Sequence, residues 1–269
     1  MKKKPFSLPT IAALLMLVVG IIVGVFYIQT RQTFNLSATP SEEPKDVRIT
    51  NITDSNFAVS WVTDKPTFGY VTYEKSEALL AGHGTRPKST LHHLTVKNLD
   101  ANTNYQFKIG SNETLFDNKG SFFRAKTGPV IALTKKTDMV FGKILTKEQR
   151  AVSGALVYLT ISGASPLSTI SDNDGSWAIN LAHARDTSLK SLASYTKNTT
   201  LEIYVFGDYV KGEKEQIATA KVSVEGAKPV PNMVLGENYN YANNKTLKSG
   251  DDLPSSDISF EATKSARER

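Results

Sequence analysis

The sequence contains no cysteine. That absence excludes a disulfide framework, a cysteine-ligated zinc or iron–sulfur site, a thiol nucleophile and a lipid-modified cysteine, and it leaves the redox compartment open. Histidine is scarce as well, with four residues: His83, His92, His93 and His183. Neighbouring side chains on a strand face opposite ways, so His92 and His93 are poorly placed to share a metal. His83 and His183 fall in other regions. There is no G-x-S-x-G, phosphate-binding glycine loop, dinucleotide fingerprint or H-E-x-x-H pattern. No catalytic, cofactor-binding or metal-ligating residue is therefore assigned. Long basic runs are missing too. The formal charge is +6, but residues 1–31 hold Lys2, Lys3, Lys4 and Arg31 and no acid. The remainder carries 28 basic and 26 acidic residues, which does not suit a nucleic-acid-binding surface.

What is present is enough apolar sequence to bury a core. Hydrophobic residues make up 40% of 269 positions, compatible with one large domain or two small ones. The first apolar feature is a run from Ile11 to Ile28 with no strongly polar side chain. As an α-helix it would be about 27 Å long, close to the hydrocarbon thickness of a bilayer. The reading is a cytoplasmic N-terminus at 1–8, a transmembrane helix at 9–29 and a polar linker at 30–43. A cleaved signal peptide is the competing reading. Its hydrophobic stretch would be shorter and end at small residues, whereas Phe26, Tyr27 and Ile28 are bulky and the nearest small-residue site is Leu36-Ser37-Ala38. Three lysines before the run against Arg31 after it put the N-terminus inside and the body outside. Gly20 and Gly24 form a GxxxG spacing that would let two such helices pair in a homodimer. The plainer explanation, that glycine is frequent in membrane helices, is preferred.

From Pro44 the chain changes character. Short alternating stretches follow one another: Val47–Ile49, Phe57–Val62, Gly69–Tyr73, His93–Val96, Asn104–Ile109 and Phe122–Ala125. Phe57, Val59 and Trp61 share one face, as do Tyr105, Phe107 and Ile109. Asp64-Lys65-Pro66 is expected to break the second strand. This pattern predicts an antiparallel sandwich over 44–128. A linker at 129–136 leads to a second set over 137–236: Met139–Leu145, Val152–Ile161, Leu167–Ser171, Ser176–Leu181, Leu201–Phe206, Ile217–Val224 and Val230–Leu235. The turn Asp172-Asn173-Asp174-Gly175 predicts a hairpin between two of them. His183–Lys197 is an insert, either a short helix or a loop. Residues 237–269 are polar and are expected to form a disordered tail.

Two resemblances follow from these residues. Pro44, Ile49, Trp61 and the stretch Leu99-Asp100-Ala101-Asn102-Thr103-Asn104-Tyr105 resemble a fibronectin type III domain, with Ala101 where that family usually has proline. The resemblance implies a core tryptophan and a tyrosine corner. The run His92-His93-Leu94-Thr95-Val96, with Leu99, Thr103 and Tyr105, is similar to the fibronectin-like N-terminal domain of purple acid phosphatases. It implies a fold and not that activity, since the chain has no Gly-Asn-His motif of the catalytic domain. In the second set Gly142, Ile144, Gly154, Ala155, Val157, Thr169, Ser171, Asp172, Gly175 and Trp177 resemble a carboxypeptidase regulatory-like β-sandwich, which implies a non-catalytic module.

Asp172 and Asp174 could open a calcium loop, but the twelfth position is His183 rather than glutamate. A turn held by its own Asp and Asn side chains is the preferred reading. Asn51 and Asn112 head N-x-Ser/Thr sequons. The expected fold is mainly β: two antiparallel immunoglobulin-like sandwiches behind one transmembrane helix. The expected role is a membrane-anchored, surface-exposed binding or scaffold protein with an envelope protein or glycan as partner. The alternatives are a structural spacer in an oligomeric envelope assembly and a hydrolase with an unrecognised site.

Overall fold

A computed structural model describes residues 41–247 apart from 74–75, 80–87, 134–136, 208–215 and 244, with backbone only at 76–79, 243 and 245–247. The expected helix at 9–29, with Gly20 and Gly24, lies outside the described residues, as does His83. Among the described residues no helix is long and apolar enough to cross a membrane. The fold is mainly β, built almost wholly from antiparallel pairs.

The first sandwich has two sheets. One contains β1 (Lys45–Thr50), β2 (Phe57–Thr67) and β5 (Ser89–Val96) in the order β1-β2-β5. The other contains β3 (Gly69–Tyr73), β4 (Ser76–Leu79), β6 (Asn104–Ser111), β7 (Thr114–Phe116) and β8 (Phe123–Lys126), with β6 pairing β3, β7 and β8. The period-2 alternation sends Phe57, Val59 and Trp61 of β2 inward against Val71, Tyr105, Phe107 and Ile109. β2 does not break at Asp64-Lys65-Pro66. It runs on to Thr67, and the pairing with β5 shifts register between Val62 and Thr67. That irregularity accommodates a proline with no N–H to give the ladder.

The second sandwich also has two sheets. β10 (Leu156–Ile161), β11 (Leu167–Ile170), β13 (Thr200–Phe206), β14 (Ile217–Ser223), β16 (Asn238–Asn240) and β17 (Lys245–Leu247) make a six-stranded sheet in the order β11-β10-β13-β14-β16-β17. β9 (Met139–Leu145), β12 (Ser176–Asn180) and β15 (Met233–Val234) make the other, ordered β12-β9-β15. Val140, Ile144, Val157, Leu159, Trp177, Ile179, Leu201, Ile203 and Val205 fill the space between.

Two expectations are corrected here. β11 and β12 are not a hairpin: β11 pairs with β10 and β12 with β9, so the turn between them carries the chain from one sheet to the other. The reason lies in the core, where Leu167 approaches from one layer and Trp177 and Ile179 from the opposite one. Nor do residues 238–243 and 245–247 belong to a disordered tail. β16 adds in parallel to the edge of β14, and β17 pairs with β16. Tyr239 packs on the core and its hydroxyl accepts the Val234 N–H at 3.0 Å, so one aromatic anchor holds a polar segment in place. The His183–Lys197 insert is a loop behind a 3-10 turn at Leu181–His183, tied down by bridges Ala164↔Asp186 and Arg185↔Leu192.

Candidate interaction surfaces and the junction between the sandwiches

The outer face of β2 is as buried as its inner one: every residue from Phe57 to Thr63 is buried. The cover comes from the second sandwich. Val62 and Leu91 form one cluster with Leu156 and Tyr158 of β10, packed by Tyr204 and Phe206 of β13. Sheets β1-β2-β5 and β11-β10-β13 therefore lie face to face, and β10, like β2, is buried on both sides.

Polar atoms in this junction are paired. Ser60 Oγ and Tyr158 Oη lie 2.7 Å apart, and burial pushes the Tyr158 hydroxyl up to about 12. Ser168 Oγ meets Thr50 Oγ1 at 2.5 Å and His93 Nε2 at 2.9 Å. Asn51, held at φ 53°, reads the backbone of Ser168 from both sides: its Nδ2 donates to the Ser168 carbonyl at 2.8 Å, and its Oδ1 accepts the Ser168 N–H at 2.8 Å. The Arg48 guanidinium sits 4.5 Å from the Tyr158 ring centre and 5.3 Å from that of Phe206. At the far edge, buried Arg185 donates to the carbonyls of Pro129 (2.8 Å) and Leu189 (3.0 Å) and approaches Asp54 at 3.7 Å. A Cβ on Gly128 would meet the Arg185 Nη1 at 2.3 Å, so the connecting strand passes as bare backbone. Satisfied buried hydrogen bonds of this kind fix one arrangement, because sliding the sheets would strand each donor.

The residues singled out in the sequence divide as follows. His92 and His93 point to opposite faces of β5. His92 stacks on Trp61 with ring centres 4.8 Å apart and meets Thr67 Oγ1 at 3.1 Å. Burial lowers its pKa to about 4. His93 lies in the junction and His183 is exposed on its turn. Asp172 and Asp174 close their own loop: both accept the Ser176 N–H, at 3.0 and 3.1 Å, and the Ser176 hydroxyl donates to Asp174 at 2.9 Å. The bond between the two carboxyls raises Asp172 and lowers Asp174. Among the described residues no group of three His, Cys, Asp or Glu is placed to hold a metal. A shallow depression of about 370 Å³ is lined by Thr160, Ile161, Ser162, Thr200 and Glu202, without a paired acid and base. Asn51, one of the sequon asparagines, is a junction residue; Asn112 sits in the β6–β7 turn and accepts the Phe68 N–H at 3.1 Å.

The junction was missed by sequence reading. Its signal was the mild chemistry of the outward positions on β2, Ala58, Ser60 and Val62, where a solvated face would carry charge. The tyrosine corner was read correctly: the Asp100 N–H donates to Tyr105 Oη at 2.7 Å.

Comparison with known proteins bears on the first sandwich. No curated protein sequence matches the chain. Among solved structures it is similar to the central fibronectin-III array of RIM-binding protein, at 12% identity and a TM-score of 0.24, covering 64% of this chain and 60% of that one. It is similar to the chicken CNTN1 FN1–FN3 domains, at 14% identity and a TM-score of 0.24, covering 75% and 68%. A two-domain fibronectin type III segment of chicken tenascin gives 13% identity and a TM-score of 0.22, covering 67% and 98%. The chain thus spans less than two thirds of the RIM-binding protein array, and superpositions this loose carry no argument. The family match is more specific: residues 42–117 fit the fibronectin type III domain, and the strand pairing, core Trp61 and Tyr105 corner described above identify the first sandwich as one.

Proposed function

We propose that this chain is a non-enzymatic binding or scaffold protein, held by residues 9–29 in a membrane with its N-terminus inside, displaying two joined sandwiches outside. The observation that carries this reading is the junction: two β modules locked by buried Leu156 and Tyr158 and by the paired Ser60, Asn51 and Ser168 make a stiff body whose faces and loops are held at fixed spacing. Fibronectin type III domains are typically binding or scaffold modules, and a rigid frame suits presentation of surfaces to a partner. The motif from Gly142 to Trp177 supports a carboxypeptidase regulatory-like second module. The likeness to the N-terminal domain of purple acid phosphatases adds only a fold. Charge asymmetry around the apolar run supports the orientation.

The test is cosedimentation of the detergent-purified full chain with isolated cell-envelope fragments. Saturable binding is expected. Absence of binding would contradict the reading and favour its alternative, a spacer in an oligomeric envelope assembly. The same stiff junction suits that role, and Gly20 and Gly24 would supply self-association.

A further inference from the structure

The outer face of the β3-β6-β8 sheet is the counterpart of the buried β1-β2-β5 face. On β6, inward Tyr105, Phe107 and Ile109 leave Lys108 and Gly110 outward. On β8, buried Ala125 leaves Arg124 and Lys126 outward and exposed. Exposed Phe122 lies beside Lys108, whose Nζ is 5.3 Å from the ring centre. Tyr70 and Leu115 both pair with Gly110, and the Tyr70 ring covers the glycine so closely that a Cβ there would come within 2.1 Å of it. The face thus combines two aromatic platforms, one exposed leucine and three cations.

Charge is segregated on it. Strands β3, β6, β7 and β8 contain Lys108, Arg124 and Lys126 and not one acid, although the chain beyond residue 31 has 28 basic and 26 acidic residues; the sheet's one acid on a named strand, Glu77, lies on the edge strand β4 beyond β3. Past the strand ends lie Glu113, in the β6–β7 turn, and Asp117, which accepts the Gly120 N–H at 2.8 Å.

We propose that this face binds an anionic polysaccharide. Sugar rings would lie their C–H faces on Tyr70 and Phe122, whose π faces are negative. Acidic substituents would pair with Lys108, Arg124 and Lys126, the guanidinium offering a fork to each carboxylate or sulfate. Because β6 is already paired on both sides, the centre of the face offers no backbone edge to an incoming peptide strand, and recognition falls to side chains. This deepens the binding reading given above and rests on it.

The experiment immobilises the detergent-purified full chain and measures retention of polygalacturonate, neutral dextran of equal length and poly-glutamate at rising salt. Saturable polygalacturonate binding that weakens with salt is expected, with dextran unbound and poly-glutamate at least tenfold weaker. Arg124→Gln with Lys126→Gln should weaken polygalacturonate binding at least tenfold and flatten its salt dependence. Phe122→Ser should weaken it with the salt dependence kept. These are surface changes, and unaltered melting will show that the fold is intact. The proposal is overturned by no polygalacturonate binding, by equal binding of dextran, by equal binding of poly-glutamate (an acidic protein partner instead), or by variants that bind as wild type. Envelope cosedimentation that persists undiminished in the double variant would overturn this assignment while leaving the binding function standing.

Discussion

His92 is stacked on Trp61 and buried beneath the sheet, where a charged imidazolium loses its hydration. Its pKa falls from 6.5 to about 4 on folding, so the unfolded chain binds the proton more tightly. Its contribution is then full above about pH 6.5 and is lost as pH falls toward 4, by about 2 kcal/mol at pH 5. Denaturant titrations at pH 7 and pH 5 should show this loss, and His92→Gln should remove it. Equal pH dependence in the two proteins would contradict the account. Tyr105 acts through one atom. Tyr105→Phe leaves the Asp100 N–H without its acceptor and should destabilise by about 1 kcal/mol, read as a lower denaturation midpoint at unchanged slope.

Among the elements, the loop between β11 and β12 is tightly constrained. Gly175 sits at φ 79° and a Cβ there would meet the Ile144 carbonyl oxygen at 2.5 Å. Gly175→Ala should therefore cost more than about 1 kcal/mol, and a melting temperature equal to wild type would refute it. Since Asp172 and Asp174 already accept from Ser176, millimolar calcium should leave the melting curve unmoved. This loop also marks where sequence reading stops. Alternation revealed which residues of β2 and β6 point inward, because period-2 burial is local. It could not reveal that β12 leaves β11 for the other sheet, because Trp177 looks the same in a hairpin and in a crossing strand. β16 was hidden for a related reason: Asn238-Tyr239-Asn240 has almost no apolar run, and only the free edge of β14 makes it a strand. Pro66 misled in the opposite direction, since a register shift lets β2 pass through it.

At the scale of the whole molecule, two modules share more than a linker. Leu156 and Tyr158 are buried in the junction as completely as core residues, at 0% and 2% exposure. A Leu156→Ala change should cost about 2–5 kcal/mol although it lies outside either sandwich's own interior. That coupling between modules was only faintly legible, through the uncharged outward positions of β2 and the Leu156–Leu159 run of β10. The partner residue across a junction is a long-range fact that no local pattern encodes. The charge-segregated face of β6 and β8 was in the sequence as well, but it becomes visible only once the pairing sets Phe122 beside Lys108.

The claim that these two sandwiches behave as one body is tested most directly by scanning calorimetry of the full chain and of Leu156→Ala. The account predicts one cooperative transition for the wild type, with calorimetric and van't Hoff enthalpies equal, and a transition that splits in the variant. Two separable transitions in the wild type would contradict it.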